Sequence, residues 1–176
     1  MNFDEIYNDV EHISGWLGKQ DAQVLYKYAS QVTGKILEIG CYAGKSTRIL
    51  ALSSPDSKII TVDPFVLGDA NKVKSEFYGS TWGLNVELIN SYSYQIAKGW
   101  KDEVDLIFID GEHTYKAVKK DIEMFAGYLK SGGFMLAHDY TLIREYPGVK
   151  KAVQELKDKY FESVVVESGI ACCKKK

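Results

Sequence analysis

The sequence predicts an α/β fold: a doubly wound sheet, mostly parallel, that ends in a C-terminal antiparallel hairpin. Short apolar runs alternate with helical stretches along almost the whole chain, the pattern of an open sheet covered by helices on both faces. The run Asp105-Leu-Ile-Phe-Ile-Asp110 is apolar throughout rather than alternating, as expected of a central strand buried on both faces. Near the C-terminus, Phe161-Glu-Ser-Val-Val-Val166 and Ile170-Ala-Cys-Cys173 are joined by a turn so short that they must pair antiparallel.

Taken in order, residues 1–33 read as helices leading into the first strand, at 35–39. The next strands fall near 58–63, 85–89, 104–109 and 133–138, with 64–84 as the most irregular internal part. Phe65, Phe77, Tyr78 and Trp82 make that part a candidate lid or pocket wall. Tyr115, Val118, Ile122, Phe125 and Leu129 recur at steps of three and four, so one helical face is apolar, and Gly132-Gly133 is expected to stop that helix. A further helix near 148–159 leads to the hairpin. There is no internal repeat, low-complexity segment or Pro-rich linker, so one domain is expected over 1–176, with a helical segment at 1–33 and a core from 34 onward.

Composition narrows the function classes. At 176 residues and 45% apolar content, the chain can bury a proper core within one domain. A formal charge of −2 gives no basic field to attract nucleic acid or an anionic membrane, which favours small molecules as partners. Cys41, Cys172 and Cys173 form neither a disulfide framework nor a zinc-ligand spacing, and a reducing cytoplasm fits them best. The N-terminal stretch, with Asp4, Glu5, Asp9 and Glu11, lacks the basic region and apolar core of a secretion signal, and no apolar run is long enough to span a bilayer. The terminal Lys174-Lys175-Lys176 reads as a solvated tail.

The segment Lys35-Ile-Leu-Glu-Ile-Gly-Cys-Tyr-Ala-Gly-Lys-Ser-Thr47 joins an apolar strand to a Gly-bearing turn and then to a helix. Gly40 and Gly44 let the backbone bend and come close to a ligand, and the free N–H groups of the helix beginning near Ser46 favour polar or anionic groups. Asp63 ends the second strand, 25 residues beyond Glu38, where a carboxylate can accept both hydroxyls of a ribose. A nucleoside-containing cofactor is expected.

These residues resemble a class I S-adenosylmethionine-dependent methyltransferase of Rossmann-like fold, with Glu38-Ile-Gly-Cys-Tyr-Ala-Gly44 in place of the family's acid-x-Gly-x-Gly-x-Gly turn. The likeness covers about residues 33–173. Tyr42 stands where the middle glycine is usual, as in several small-molecule O-methyltransferases of this fold. Within the fold, Ile109-Asp-Gly-Glu-His-Thr-Tyr115, Gly132-Gly133 and Ala137-His-Asp-Tyr140 are similar to the branch that holds macrocin-type sugar O-methyltransferases, whose characterised members are metal-dependent. The resemblance implies a cofactor cradle at Glu38, Gly40, Cys41, Tyr42, Gly44, Ser46, Asp63, Ser93 and Asp110, with Glu38 holding the cradle or the ammonium group.

Methyl transfer to a hydroxyl asks for an acceptor held in line and relieved of its proton. Asp110 and Asp139 end two strands that should be neighbours, and two carboxylates with nearby water suit a hard cation such as Mg²⁺. His138 and Glu112 are further candidate ligands, with a backbone-bonded core role as the alternative for His138. The resemblance implies His113, three residues beyond Asp110, as general base, a role that suits an imidazole near neutral pH, and helix capping or plain exposure is its structural alternative. Tyr115 and Tyr140 flank the site, although 12 tyrosines are spread through the chain. The acceptor's identity stays open, and a homo-oligomer in which a neighbour's N-terminal helix completes the pocket is compatible with the short chain.

Three other classes compete. Gly44-Lys45-Ser46 and Leu106-Ile-Phe-Ile-Asp-Gly-Glu112 mimic a P-loop nucleoside triphosphatase, but Gly40 and Gly44 enclose three residues where that loop needs four. A dinucleotide-dependent dehydrogenase would need glycines at Tyr42 and Lys45. A methyltransferase fold reduced to a non-catalytic binding module is the third, and the presence of Asp110, His113 and Asp139 speaks against it.

Overall fold

The computed structural model describes Met1–Lys176. Helices α1 (Phe3–Val10) and α2 (Lys19–Ala29) precede the alternating part: β1 (Lys35–Ile39), α3 (Lys45–Ser53), β2 (Lys58–Val62), α4 (Ala70–Ser80), β3 (Val86–Ile89), α5 (Ser93–Ile96), β4 (Val104–Ile109), α6 (Tyr115–Phe125), β5 (Leu129–Ala137) and α7 (Pro147–Tyr160). The chain ends in the hairpin β6 (Phe161–Glu167) and β7 (Ile170–Lys175). The seven strands form one sheet in the order β3-β2-β1-β4-β5-β7-β6, parallel except for β7, which runs antiparallel to both β5 and β6. This is the predicted fold.

Strand parity divides the core into two layers, because successive side chains point to opposite faces. Ile36, Ile59, Leu106, Phe108, Leu136 and Cys172 face the layer under α1, α2 and α3. Leu37, Ile60, Ile107, Ile109, Met135 and Cys173 face the layer under α6 and α7. Residues Leu106–Ile109 are all buried, as a central strand covered on both sides requires. Each fully buried Ile, Leu or Phe there contributes about 1.5–3 kcal/mol of transfer free energy.

The structure corrects three details. The helix begun at Tyr115 ends at Phe125, and Leu129 belongs to β5, where its burial comes from pairing with Val104 rather than from the helical face. Gly132-Gly133 therefore does not stop a helix: it lies inside β5, where Gly132 at φ +77° accompanies a shift of register. A Cβ on Gly133 would come within 2.7 Å of the Asp105 carbonyl oxygen, so this glycine lets β5 close on β4. The stretch 64–84 also holds a helix, α4, whose Asp69 carboxylate caps the Asn71 and Lys72 amides. Its Phe77, together with Phe65, is buried in the core, whereas Tyr78 and Trp82 are exposed. No helix is long and apolar enough to cross a membrane.

Candidate active site

The strand order reverses at β1, with β2 on one side and β4 on the other, so the turns after β1 and β4 diverge and leave a crevice at their carboxyl ends. The Gly40 amide donates to Val62 O and the Asp110 amide to Ile39 O, which locks the three strand ends together. Gly40, at φ +88°, touches the other turn so closely that a Cβ would lie 2.4 Å from Asp110 O.

All the predicted cradle residues but Ser93 come together here, and the structure assigns each a partner. Glu38 is fully buried and accepts from the hydroxyls of Ser46, at 2.6 Å, and Thr47, at 2.5 Å. It holds the first turn of α3 against β1 and reaches no open ligand surface. Burial pushes its carboxyl up to about 7 against the pull of those hydroxyls. Asp63 accepts from the Cys41 and Tyr42 amides, both at 2.9 Å, and from the Phe65 amide at 2.6 Å, so it braces the turn from the end of β2. Tyr42 sits at φ +46°, keeping the left-handed backbone of the glycine that it replaces. That conformation costs about 1–2 kcal/mol for a non-Gly residue, and the bond to Asp63 and a ring contact with Trp16, centroids 5.0 Å apart, offset it. Cys41 is buried and its thiol is pushed far up by that burial, so it serves the turn through its backbone. Ser93, at the start of α5, gives its hydroxyl to Asp121 on α6 at 2.5 Å. A cavity of about 360 Å³ lined by Asp9, His12, Arg48 and Glu76 includes none of these residues.

The Asp63 geometry yields a prediction. Asp63→Ala would leave three amides without their carboxylate, and a hydrogen bond to a charged group is worth about 1.5–3 kcal/mol. The ligand-free variant is expected to melt several degrees below wild type. Equal melting of the two ligand-free proteins would show that the carboxylate does not brace the turn.

At the same edge, one ligand atom each from Asp110, His113, His138 and Asp139 lie within 4.8 Å of one another. β4 ends just before Asp110. Thr114 caps α6 by accepting from the Ala117 amide, which leaves His113 just outside the helix rather than capping it. β5 ends just before His138, and Asp139 turns the chain at φ +57°. His113 Nε2 lies 2.9 Å from Asp139 Oδ2 and 3.4 Å from Asp110 Oδ1, yet it is buried with no acceptor in hydrogen-bonding geometry. His138 Nδ1 lies 3.0 Å from Asp110 Oδ1, and its Nε2 lies 3.3 Å from Asp21 Oδ2. Glu112 stays outside the group and accepts from the Thr114 hydroxyl. Tyr140 is buried and its hydroxyl accepts from the Gln154 amide, and the Tyr115 hydroxyl donates to Glu155.

Two contributors were not visible in the sequence. Asp21, on the first turn of α2, reaches the cluster from 117 residues away from His138. Tyr146, at the start of α7, stacks on His113 with centroids 4.5 Å apart. Gly148 brings it there, since a Cβ at that position would lie 2.2 Å from the Tyr115 amide nitrogen. An X-Pro-Gly sequence marks a turn into a helix, but nothing local says what the helix lands on.

The charges are strongly coupled. Burial pulls the His113 imidazole down, but the Asp110 and Asp139 carboxylates outweigh it and lift the group to about 9. His138 is likewise lowered by burial and raised by Asp110 and Asp21, to about 10. Burial would raise Asp110, yet the two imidazoles hold its carboxyl below the usual range. Groups raised on folding stabilise fully below their unfolded values and lose that stability as pH rises through the folded ones. For the two histidines the loss runs from about pH 6.5 to about 10, and for Glu38 from about 4.5 to about 7. Melting measured with a chelator present should therefore fall steadily between pH 5 and 10. A midpoint constant from pH 6.5 to 10 would contradict the imidazole–carboxylate pairing.

The arrangement also bears on the competing classes. Ser46, which a phosphate loop would offer to Mg²⁺, is committed to Glu38, and the neighbouring Lys45 is buried. The Asp110 and Asp139 carboxylates, with the buried His138 Nδ1 at 3.0 and 3.5 Å from them, are donors that fit a divalent cation.

Comparison with known proteins agrees with this fold. A family described as a methyltransferase domain matches residues 37–140, from within β1 to Tyr140. An uncharacterised protein of Acanthamoeba polyphaga mimivirus is 29% identical over 127 residues, covering 68% of this chain and 58% of that protein, so the chain spans little more than half of its relative. The fold is similar to that of the Podospora anserina methyltransferase PaMTH1 in its SAH-bound crystal structure, at TM-score 0.75 and 18% identity, covering 99% of this chain and 87% of that one. It is also similar to the O-methyltransferase TomG of Streptomyces achromogenes in complex with SAM, at TM-score 0.73 and 14% identity, covering 99% and 88%.

Proposed function

Because this chain belongs to the methyltransferase-domain family that matches its residues 37–140, we propose that it transfers a methyl group from S-adenosylmethionine to a hydroxyl of a small molecule, assisted by a divalent cation. The observation that carries this reading is the meeting of two features at one sheet edge: the braced Gly40–Gly44 turn and the cluster of Asp110, His113, His138 and Asp139. The SAM and SAH held by the similar TomG and PaMTH1 support the choice of cofactor. In this reading Gly40, Cys41, Tyr42 and Gly44 cradle the methionine part through their backbone. Glu38 and Ser46 hold the cradle from beneath. Asp63, braced by three amides, keeps a lone pair on Oδ1 for a ribose hydroxyl. Ser93 lies toward the adenine end.

Asp110 and Asp139 would hold the cation, which would lower the pKa of a bound hydroxyl. His113 is positioned beside both carboxylates to take the acceptor's proton, its ring steadied by Tyr146. Exposed Leu142, Ile143 and Tyr146 stand beside this edge and offer the acceptor an apolar wall. A reducing, cytoplasmic setting suits three buried free cysteines.

Thermal shift tests the reading. S-adenosylhomocysteine at a hundred times its Kd should stabilise the protein by about 2.7 kcal/mol. Stabilisation by ATP with Mg²⁺, or by NAD, without any response to S-adenosylhomocysteine would move the protein to another class.

A further inference from the structure

We infer that His138 is a third cation ligand beside Asp110 and Asp139, aimed by Asp21, and that the site therefore favours a first-row transition cation of the Fe²⁺, Co²⁺ or Zn²⁺ class over Mg²⁺. This rests on the cation-assisted reading above and sharpens it. Carboxylates and water satisfy Mg²⁺, which takes oxygen ligands and seldom nitrogen. An imidazole nitrogen among the donors shifts the preference toward the later ions.

The geometry of Asp21 is what makes His138 a candidate ligand rather than a core histidine. Asp21 Oδ1 accepts from the Gly169 amide at 2.8 Å, which fixes the carboxylate against the β6–β7 turn. Its other oxygen lies 3.3 Å from His138 Nε2, placed to accept an N–H from that nitrogen. Nδ1 is then the ring atom that faces the cluster, 3.0 Å from Asp110 Oδ1 and 3.5 Å from Asp139 Oδ1. The His138 amide donates to Ile109 O and the ring is 5% exposed, so the side chain has little freedom to turn away. A carboxylate behind a histidine whose other nitrogen faces carboxylate oxygens is the arrangement by which metal sites orient and strengthen an imidazole ligand. It also explains why a charged residue on α2 reaches across to the hairpin turn. His113 remains free for the acceptor's proton.

The experiment uses untagged full-length protein, with Co²⁺ and Mg²⁺ as probes. Calorimetry should show Co²⁺ binding well ahead of Mg²⁺, and X-ray absorption of the Co²⁺-loaded protein should show imidazole ligation. His138→Gln should remove one imidazole from that signal. Asp21→Asn should weaken Co²⁺ about 10–100-fold, the usual cost of losing such a supporting group, while Mg²⁺ and S-adenosylhomocysteine affinities stay near wild type. Wild-type and His138→Gln proteins with the same imidazole signal would overturn the ligand assignment. An Asp21→Asn protein that loses thermal stability but keeps its Co²⁺ affinity would overturn the aiming role. If wild type binds S-adenosylhomocysteine but neither cation, the cation-assisted reading falls and this inference with it. The wild-type X-ray absorption decides the imidazole question even if a variant fails to fold.

Discussion

His113→Ala is expected to lower kcat by about a hundred- to ten-thousand-fold, the usual contribution of a general base, while leaving S-adenosylhomocysteine affinity unchanged. The imidazole lies within 3.4 Å of Asp110 and Asp139 and is stacked on Tyr146, outside the Gly40–Gly44 cradle. In the cation-free protein those carboxylates lift it to about 9, so at neutral pH it carries a proton and cannot accept another. A cation held by Asp110 and Asp139 would offset their pull on that proton and would leave the imidazole available as a base. Wild-type activity should therefore need the cation and should fall on the acid side as His113 protonates. The variant should keep the cation requirement and lose that acidic limb. A variant with wild-type turnover and the same limb would leave deprotonation of the acceptor to the cation alone.

Gly40→Ala should be strongly destabilising. The left-handed backbone costs an alanine about 1–2 kcal/mol. The added Cβ would also lie 2.4 Å from Asp110 O, 2.7 Å from Asp110 C and 2.8 Å from Gly111 Cα. All three are backbone atoms of a turn that is itself bonded to β1 through the Asp110 amide, so no side chain can move aside. Forced shifts of this kind typically cost about 1–3 kcal/mol. The sum, roughly 2–5 kcal/mol, is a large share of a marginal stability and corresponds to a fall of about 5–20 °C in Tm. Gly83→Ala is the control: Gly83 also has positive φ, +75°, but nothing lies within 4 Å of its Cβ position. It should lose only the conformational part. If the two variants melt alike, contact between the turns is not what requires glycine at position 40.

Both predictions rest on residues that the sequence already singled out, and the reason is local. A strand's carboxyl end is marked where an apolar run stops, so Asp63, Asp110 and Asp139 could be assigned to one sheet edge before any coordinate was known. The three-to-four-residue steps from Tyr115 to Phe125 likewise gave a helix that packs on the sheet. The errors arose where periodicity is ambiguous. Leu129 continued a helical spacing but is buried in β5, and the run of α4 was hidden among aromatics that suggested a lid. Phe65 and Phe77 looked like a pocket wall because an aromatic in an irregular stretch has the same sequence signature whether it faces core or ligand.

The sequence by itself determined the fold class, the strand ends that converge and the glycine turn between them. Each of these follows from backbone preferences and apolar patterning within a few residues of the feature. The tertiary structure alone decided which partner each polar group meets. Glu38 went to Ser46 and Thr47 rather than to a ligand, and Asp63 to three amides. Tyr146 was laid over His113 by the docking of α7. Asp21 found Gly169, 148 residues away, and through His138 the Asp110 carboxylate. Such pairings are not encoded in local pattern, because a buried polar atom must be satisfied by whichever group the packed layers bring within about 3 Å.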